Sequence, residues 1–354
     1  MQGLRISVVS HPMLFSQPAR TSRDVLREKP TWFLVAHHPD GRVGVGECSL
    51  IPGLSPEHPL RAVRALEQVA RSGTLDVDGI PENLPAVRFA VETALIDLLV
   101  PEPWMLFPSG FSVGAEGMEI NGLVWMDGVE AMWESAQRLV GQGFRTLKFK
   151  VGAQAWEEEL ALLRQVRRSF PEVVVRVDAN GAFSALERSV TLDRLGALAD
   201  LGLHSIEQPI RPGHWGDMAF LCQHSPLPIA LDEELIGVTS RPVQEAMLRS
   251  IQPAFVVLKP SLLGGLREAN GWIDVAQAAG AGWWATSALE SNVGLNAIAQ
   301  WTADALTEVP PGDRLPQGLG TGGLFTNNVP LPLRVEGGQL YRDGIHAPIP
   351  GPWS

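Results

Sequence analysis

Five short apolar runs end in residues suited to acid–base and metal chemistry. TLKFK closes on Lys148 and Lys150, VVVRVDAN on Asp178 and Asn180, HSIEQP on Glu207, IALDEE on Asp232, and FVVLKP on Lys259. Three carboxylates on successive runs are hard oxygen ligands of the kind Mg²⁺ takes, with Mn²⁺ as a substitute. Zinc is disfavoured, because no His or Cys joins the set. The competing reading is that each acid caps the helix after its strand. Three acids on adjacent runs, flanked by lysines, favour the metal. On a strand, Lys148 and Lys150 would face the same way. Two crowded ammonium groups lower one another's pKa and make a neutral amine base available. The alternative is a strand with an outward polar face, but Leu147 and Phe149 on the other side suit packing against helices. Lys259 would approach from the opposite side. The chemistry implied is removal of a proton α to a carboxylate while a divalent ion neutralises the growing charge.

The elements that would position these groups recur along the chain. From about residue 120 a short apolar run and then a helix alternate with a period of roughly 25 to 30 residues. The runs are 120–125, 146–152, 173–180, 203–209, 227–234, 255–261 and 283–291, with a weaker one at 314–322. Helices are expected at 129–142, 155–169, 185–201, 242–249 and 265–279. Such alternation implies parallel strands joined by right-handed crossovers, and this many repeats suggest a closed barrel with its chemistry at the C-terminal strand ends. Upstream, 4–9, 32–36 and 42–48 read as strands and 58–72 and 85–99 as helices, a small α+β module. The stretch 16–30 between the first two strands reads as a polar loop, and 49–56 as a second loop. Both are expected over the barrel mouth. Residues 324–354, rich in Pro and Gly, are expected to pack back on that module.

Composition narrows the partners. The 354 residues carry a net charge of −11, with 45% hydrophobic and 19% charged residues. A globular chain is expected, and a phosphate backbone is an unsuitable partner for so acidic a surface. No run approaches the ~20 apolar residues of a membrane span, and no signal-like segment opens the chain. Two cysteines, Cys48 and Cys222, give no disulfide framework and read as buried thiols without a redox task. A cytoplasmic protein with a small-molecule carboxylate substrate is expected. Homo-oligomerisation is left open.

The motifs K-F-K (148–150), D-A-N (178–180), I-E-Q-P (206–209), L-D-E (231–233) and L-K-P (258–260) resemble those of the muconate-lactonizing branch of the enolase superfamily. The resemblance spans the chain. It implies a (β/α)7β TIM-like barrel over 116–323, capped by an α+β domain formed by 1–115 with the tail 324–354 packing on it. It also implies Mg²⁺ on Asp178, Glu207 and Asp232, with Lys150 and Lys259 facing each other. Within the branch, SALESNVGL (287–295), GLGTGGLFTNN (318–328) and the PARTSRDVLREKPTWFL segment resemble the o-succinylbenzoate synthases of menaquinone biosynthesis. These dehydrate 2-succinyl-6-hydroxy-2,4-cyclohexadiene-1-carboxylate to o-succinylbenzoate. By that resemblance Lys150 is the base, Lys259 stabilises the enediolate, and Lys148 holds a carboxylate oxygen. Asn180, Ser287, Glu290, Gly320, Thr321 and Ser22 are the candidate substrate contacts. N-succinylamino-acid racemases use the same lysines and remain an alternative. Dipeptide epimerases are disfavoured, because Ser287 to Glu290 stand where a D-x-D motif belongs. A third reading is a non-catalytic metal-binding barrel, against which the two opposed lysines argue.

Gly318, Gly320 and Gly323 match G-x-G-x-x-G, but no strand–helix unit frames them, so a substrate-binding turn is expected rather than a dinucleotide site. The eight histidines show no ligand pattern.

Overall fold

The computed structural model describes residues 3–20, 25–344 and 351–353. The chain starts with strands β1 (Arg5–Ser10), β2 (Met13–Arg20), β3 (Val25–Lys29), β4 (Thr31–His37) and β5 (Val43–Ser49). Strands β1, β4 and β5 form an antiparallel sheet with β4 in the centre. TWFLVAH in β4 is almost uninterrupted in its apolar character because both faces are covered. Leu34 and Ala36 pack on Leu66 of helix α1 (Pro59–Ser72) and on Ala90 and Ala94 of α2 (Pro85–Leu99). Phe33 and Val35 face Val329 and Leu331 of the C-terminal segment.

Two glycines let α2 lie directly on β5. A Cβ at Gly46 would stand 1.9 Å from the Ala90 carbonyl oxygen, and one at Gly44 would stand 2.2 Å from that of Ala94. Both atoms belong to backbone and cannot swing aside. Acidic groups fasten the two ends of the same helix. Glu57 accepts from the Ala86 amide at its start. Asp97 near its end accepts from the amides of Val45 (3.0 Å) and Trp104 (2.7 Å). Burial pushes the Glu57 carboxyl up to about 7 and that of Asp97 up to about 6.

Within the segment expected as a polar loop at 16–30, residues 16–20 and 25–29 belong instead to the paired strands β2 and β3, a two-stranded ribbon. Met13, Phe15 and Leu26 are buried against Leu262, Leu289 and Phe325, with the Phe15 and Phe325 rings 4.7 Å apart. The exposed side chains beside them, Leu14, Ser16 and Gln17 on β2 and Arg27 and Glu28 on β3, mix apolar, polar and charged types and hide this alternation in the sequence.

The barrel follows. After β6 (Met118–Glu119), strands β7 (Gly122–Val124), β8 (Thr146–Lys150), β9 (Val174–Asp178), β10 (Ser205–Glu207), β11 (Ile229–Leu231), β12 (Phe255–Leu258) and β13 (Gly282–Ala285) form one parallel sheet in sequence order from β7 to β13. Helices α3 (Val129–Gly141), α4 (Trp156–Ser169), α5 (Arg188–Ala199), α6 (Trp215–His224), α7 (Arg241–Ile251), α8 (Pro260–Leu263), α9 (Leu266–Ala278) and α10 (Asn292–Ala305) complete the α/β layering. The eighth run, 314–322, forms no regular strand. Gln317 bridges Ile120 and Gly318 bridges Thr286, and these two residues join the sheet's edges. Gln317 takes an amide bond from Asn121 (2.9 Å) and gives one to Glu119 (2.9 Å), while Gly318 bonds Ala285 (2.8 Å) and Ser287 (3.1 Å). Pro316, Gly318 and Gly320 shorten the ladder. A side chain at Gly318 is excluded, since its Cβ would fall 2.2 Å from Thr286 Oγ1. The tail hairpin β14 (Leu333–Glu336) and β15 (Gln339–Arg342) pairs with β6. Among the described residues no helix is long and apolar enough to cross a membrane.

Two outcomes test this packing. Gly46→Ala should cost about 3 kcal/mol of stability in a denaturant titration, whereas Gly128→Ala, where a Cβ meets nothing within 4 Å, should be near neutral. Glu57 has a folded-state pKa above its ordinary 4.5, so its contribution to stability is full below that value and is lost as pH rises through about 7. Glu57→Gln removes that dependence. Its melting temperature relative to the unmodified chain should therefore rise between about pH 5 and about pH 8, by the equivalent of roughly 2 kcal/mol.

Candidate active site

Parallel register brings the strand-end groups side by side. Lys150 pairs across the sheet with Asp178, and Asp178 with Glu207, while Asp232 follows directly after β11. Asp178, Glu207 and Asp232 are each at most 2% exposed. None caps a following α-helix: those positions belong to Glu187, His214 and Ser240. The acids point into the barrel mouth, where lysines meet them. Lys148 Nζ lies 2.6 Å from Glu207 Oε2 and 2.9 Å from Asp178 Oδ2. Lys150 Nζ donates to Asp178 Oδ2 (2.6 Å) and Asn180 Oδ1 (2.8 Å). On the other side Lys259 pairs with Asp232.

Desolvation and mutual charge compete here. Burial disfavours the Lys148 ammonium, yet Asp178, Glu207 and Asp232 more than offset this and hold its pKa above the usual lysine value. Lys148 is thus a fixed cation, whereas K-x-K crowding alone would have lowered it. Lys259 is likewise raised, burial being overcome by Asp232, Glu233 and Glu207. Burial and the adjacent Asp178 push Glu207 well above the carboxylate range. Asp178 is held well below it, because Lys148 and Lys150 outweigh its burial.

The donor set suits a hard divalent ion. Oxygens of Asp178 and Glu207 already converge on one cationic centre, the Lys148 ammonium, and repulsion among the acids is what an added cation would relieve. The acids are engaged by lysines, and among the described residues no three His, Cys, Asp or Glu groups stand assembled around a common metal position. Carboxylate rotation away from the ammonium groups would be needed to complete coordination.

Residues after each strand end fix this arrangement. Asn180 and Gln208 adopt left-handed conformations, φ 41° and 42°. Asn180 links Lys150 to Glu233, donating from Nδ2 to Oε1 at 2.9 Å. Gln208 Oε1 accepts from the amides of Asp232 (3.1 Å) and Glu234 (3.2 Å), tying β10 to the turn after β11.

A cavity of about 310 Å³ opens above these groups. Lys148, Lys150, Lys259 and Asn180 reach it, as do Ser287, Gly320 and Thr321. The 49–56 loop covers it through Ile51, Pro52 and Leu54. Glu290 stands elsewhere than the sequence suggested. It is fully buried behind the cavity wall and accepts from Ser261 Oγ (2.5 Å) and Ser287 Oγ (2.6 Å). Its carboxylate holds Ser287 instead of facing a ligand. Ser22 lies outside the described residues. Cys48 is buried and Cys222 only half-buried.

Two groups of site residues escaped the sequence reading. The first is Asn121, Leu123 and Trp125 on the first barrel run, which line the cavity. The signal was available: Leu123 registers with Lys148, so alternate positions of both strands share the inner face. The second is a buried network below the 287–291 turn. Lys29 Nζ donates to the carbonyls of Ala288 (3.1 Å) and Leu289 (2.6 Å), and Leu289 is strained at φ 61°. Glu47 accepts from the Ser291 amide (2.8 Å) and the Gly294 amide (2.8 Å) at the start of α10. No sequence motif announces either residue.

Residues 131–342 match the enolase C-terminal domain-like family. An o-succinylbenzoate synthase from Desulfotalea psychrophila is 44% identical, with 96% of this chain and 99% of that protein aligned. The crystal structure of MenC from the same organism superposes with a TM-score of 0.83 at 41% identity, covering 96% of this chain and all (100%) of the other. The N-succinyl Arg/Lys racemase of Bacillus cereus superposes with the same TM-score, 0.83, at 19% identity over 97% of this chain and 93% of its own, and shares the fold.

Removing the Lys29 ammonium should loosen the turn it supports. Lys29→Met is expected to speed amide hydrogen exchange across 287–291 and to lower global stability by about 2–3 kcal/mol, because two buried carbonyls lose their donor.

Proposed function

We infer that this chain, which belongs to the enolase C-terminal domain-like family of the enolase superfamily, is an o-succinylbenzoate synthase, a carbon–oxygen lyase. The observation that carries the reaction is the disposition of Lys150 and Lys259. Both reach one cavity from opposite flanks of the strand-end acids, Lys150 beside Asp178 and Lys259 beside Asp232.

Asp178, Glu207 and Asp232 would hold Mg²⁺, or Mn²⁺ in its place. When bound, the ion supplies positive charge that offsets the negative charge building on the substrate carboxylate. Lys150 takes the proton α to the ring carboxylate of 2-succinyl-6-hydroxy-2,4-cyclohexadiene-1-carboxylate. Lys259, held as an ammonium by its acidic neighbours, faces the resulting enediolate from the other side. The ring carbon–oxygen bond then breaks on the Lys150 face. Lys150 returns its proton to the departing hydroxyl, water leaves, and the ring becomes aromatic. Lys148 remains charged throughout and keeps Asp178 and Glu207 in place. Asn180 positions the Lys150 amine through their 2.8 Å bond. The cap of 1–115 with the tail 324–354 closes the mouth of the 116–323 barrel and excludes water from the charged intermediate. The reaction serves menaquinone synthesis in the cytoplasm, with neither nucleic acid nor membrane as a partner.

Incubating the protein and Mg²⁺ with the cyclohexadiene substrate should give rapid aromatisation, read by ultraviolet absorbance. Hydrogen exchange into N-succinyl-phenylalanine without dehydration would instead mark a racemase, and silence in both assays a binding barrel. Lys150→Ala should lower dehydration by about 10³-fold or more while calorimetry still detects Mg²⁺ binding. Undiminished turnover would remove Lys150 from its role. Chelation should abolish activity, and Mg²⁺ should restore it.

A further inference from the structure

The turn that follows Lys150 is held from outside itself. Strand β8 ends at Lys150, and α4 starts at Trp156. Between them Val151 is buried and still paired, its amide donating to the Asp178 carbonyl at 2.9 Å. Gly152, Ala153 and Gln154 are exposed, and among the described residues none of their amides has a backbone acceptor. Gly152 turns the chain at φ 96°, and a Cβ there would fall 2.3 Å from Ala182 Cβ. The turn therefore lies directly on the segment that follows Asp178 and Asn180.

One side chain gathers these amides. Glu159, the fourth residue of α4, is 3% exposed, whereas Glu157 and Glu158 beside it face solvent. Its Oε1 accepts from the amides of Gly152 (2.8 Å), Ala153 (3.0 Å) and Gln154 (3.0 Å), and its Oε2 accepts from Gly152 as well (2.9 Å). A carboxylate out of water is unfavourable unless donors surround it, and here the donors all come from one turn. Helix α4 already carries acids at 157 and 158 that complement the positive end of its dipole, so an inward third acid is not needed for that purpose. Gln154 extends the hold sideways, its Nε2 donating to the Asp127 carbonyl (3.2 Å) ahead of α3.

We propose that Glu159 is a positioning residue for the proton transfer: by gathering the 152–154 amides it fixes the end of β8 and so aims the Lys150 side chain at the substrate carbon that loses its proton. The proposal rests on the dehydratase reading above, in which Lys150 is the base. Asp178 and Asn180 hold the tip of that side chain, and Glu159 holds the backbone that carries it. Glu159 does not line the cavity, so it acts through Lys150 and not on the substrate. A shift of the strand end displaces the amine with it, and a misplacement of about 1 Å can cost a positioned reaction about 100-fold. Because Oε1 alone meets all three amides, a side chain with one carbonyl oxygen can keep the turn in place.

The test uses the full chain with Mg²⁺, the cyclohexadiene substrate, and the same substrate with deuterium at the carbon α to the ring carboxylate. Glu159→Leu should lower kcat by about 10-fold or more with KM changed by less than about 3-fold. It should also enlarge the deuterium isotope effect on kcat, because proton removal becomes the slow step. Glu159→Gln should keep kcat within about 3-fold of the unmodified chain. Glu158→Gln, the control for charge at the start of α4, should change neither quantity. Glu159→Ala, which leaves room for water on the freed amides, replaces Glu159→Leu if that variant does not fold. Amide hydrogen exchange, read alongside, should quicken at 151–154 and stay unchanged in α9 and α10. Undiminished turnover in the Leu or Ala variant, turnover in Glu159→Gln as low as in Glu159→Leu, or a lower kcat with an unchanged isotope effect overturns the proposal. The last of these is what a partly misfolded sample gives. The two readings fail separately. No aromatisation by the unmodified chain would remove the dehydratase reading, while exchange at 151–154 still decides whether Glu159 holds the strand end, and unchanged exchange there overturns that hold.

Discussion

Three acids and three ammonium groups packed into one water-poor barrel mouth set the terms for the rest of the structure. Burying any one of these charges alone would be severely unfavourable. They coexist because each ammonium lies against a carboxylate, and because Lys148 is shared between Asp178 and Glu207. The balance is local and directional. Moving one strand by a residue would turn its charged group from the lumen to the helix layer. The parallel register that pairs Lys150 with Asp178 and Asp178 with Glu207 is therefore as much an electrostatic requirement as a packing one.

That cluster was legible in the sequence, because it depends on chain order alone. A barrel strand delivers its last inward residue to the rim, so five short motifs spaced about one strand–helix unit apart place five groups around a circle. The eighth strand was only half legible. RLPQGLGTG has the right place in the series, yet Pro316 and its glycines reduce it to two bridging residues. Residues 16–30 were read as loop because the buried Leu26 stands beside Arg27, Glu28 and Lys29 in a stretch otherwise polar. Its burial partners, Leu289 and Phe325, lie more than two hundred residues away, where no local pattern reaches. Glu290 was misassigned for a related reason. A carboxylate near a strand end could as well face the ligand or brace the wall, and only the position of Ser261 decides between them.

The cap contributes more than a cover. Lys29 from the ribbon and Glu47 from the cap sheet both end beneath the 287–291 turn, one holding two of its carbonyls and the other its following amides. Leu289 needs such support, since a leucine at φ 61° does not hold that conformation by itself. Because Leu289 and Ser287 line the cavity, the wall on this side is built only when cap and barrel are joined. Burial lowers the Lys29 pKa while Glu290 and Glu47 raise it, so cap and turn are also coupled by charge.

The barrel's two halves thus answer to different constraints. On the side of β8 to β12, nearly every inward group at the rim is committed to the charge cluster, and exchange of one would leave another unbalanced. On the side of β7 and the closing segment, backbone pairing is reduced to two residues and the inward groups are neutral. Substitutions there alter the shape and donors of the wall without touching the reacting centre. The strands that carry the lysines and acids are tied together by charge, and the seam is closed by two backbone bridges.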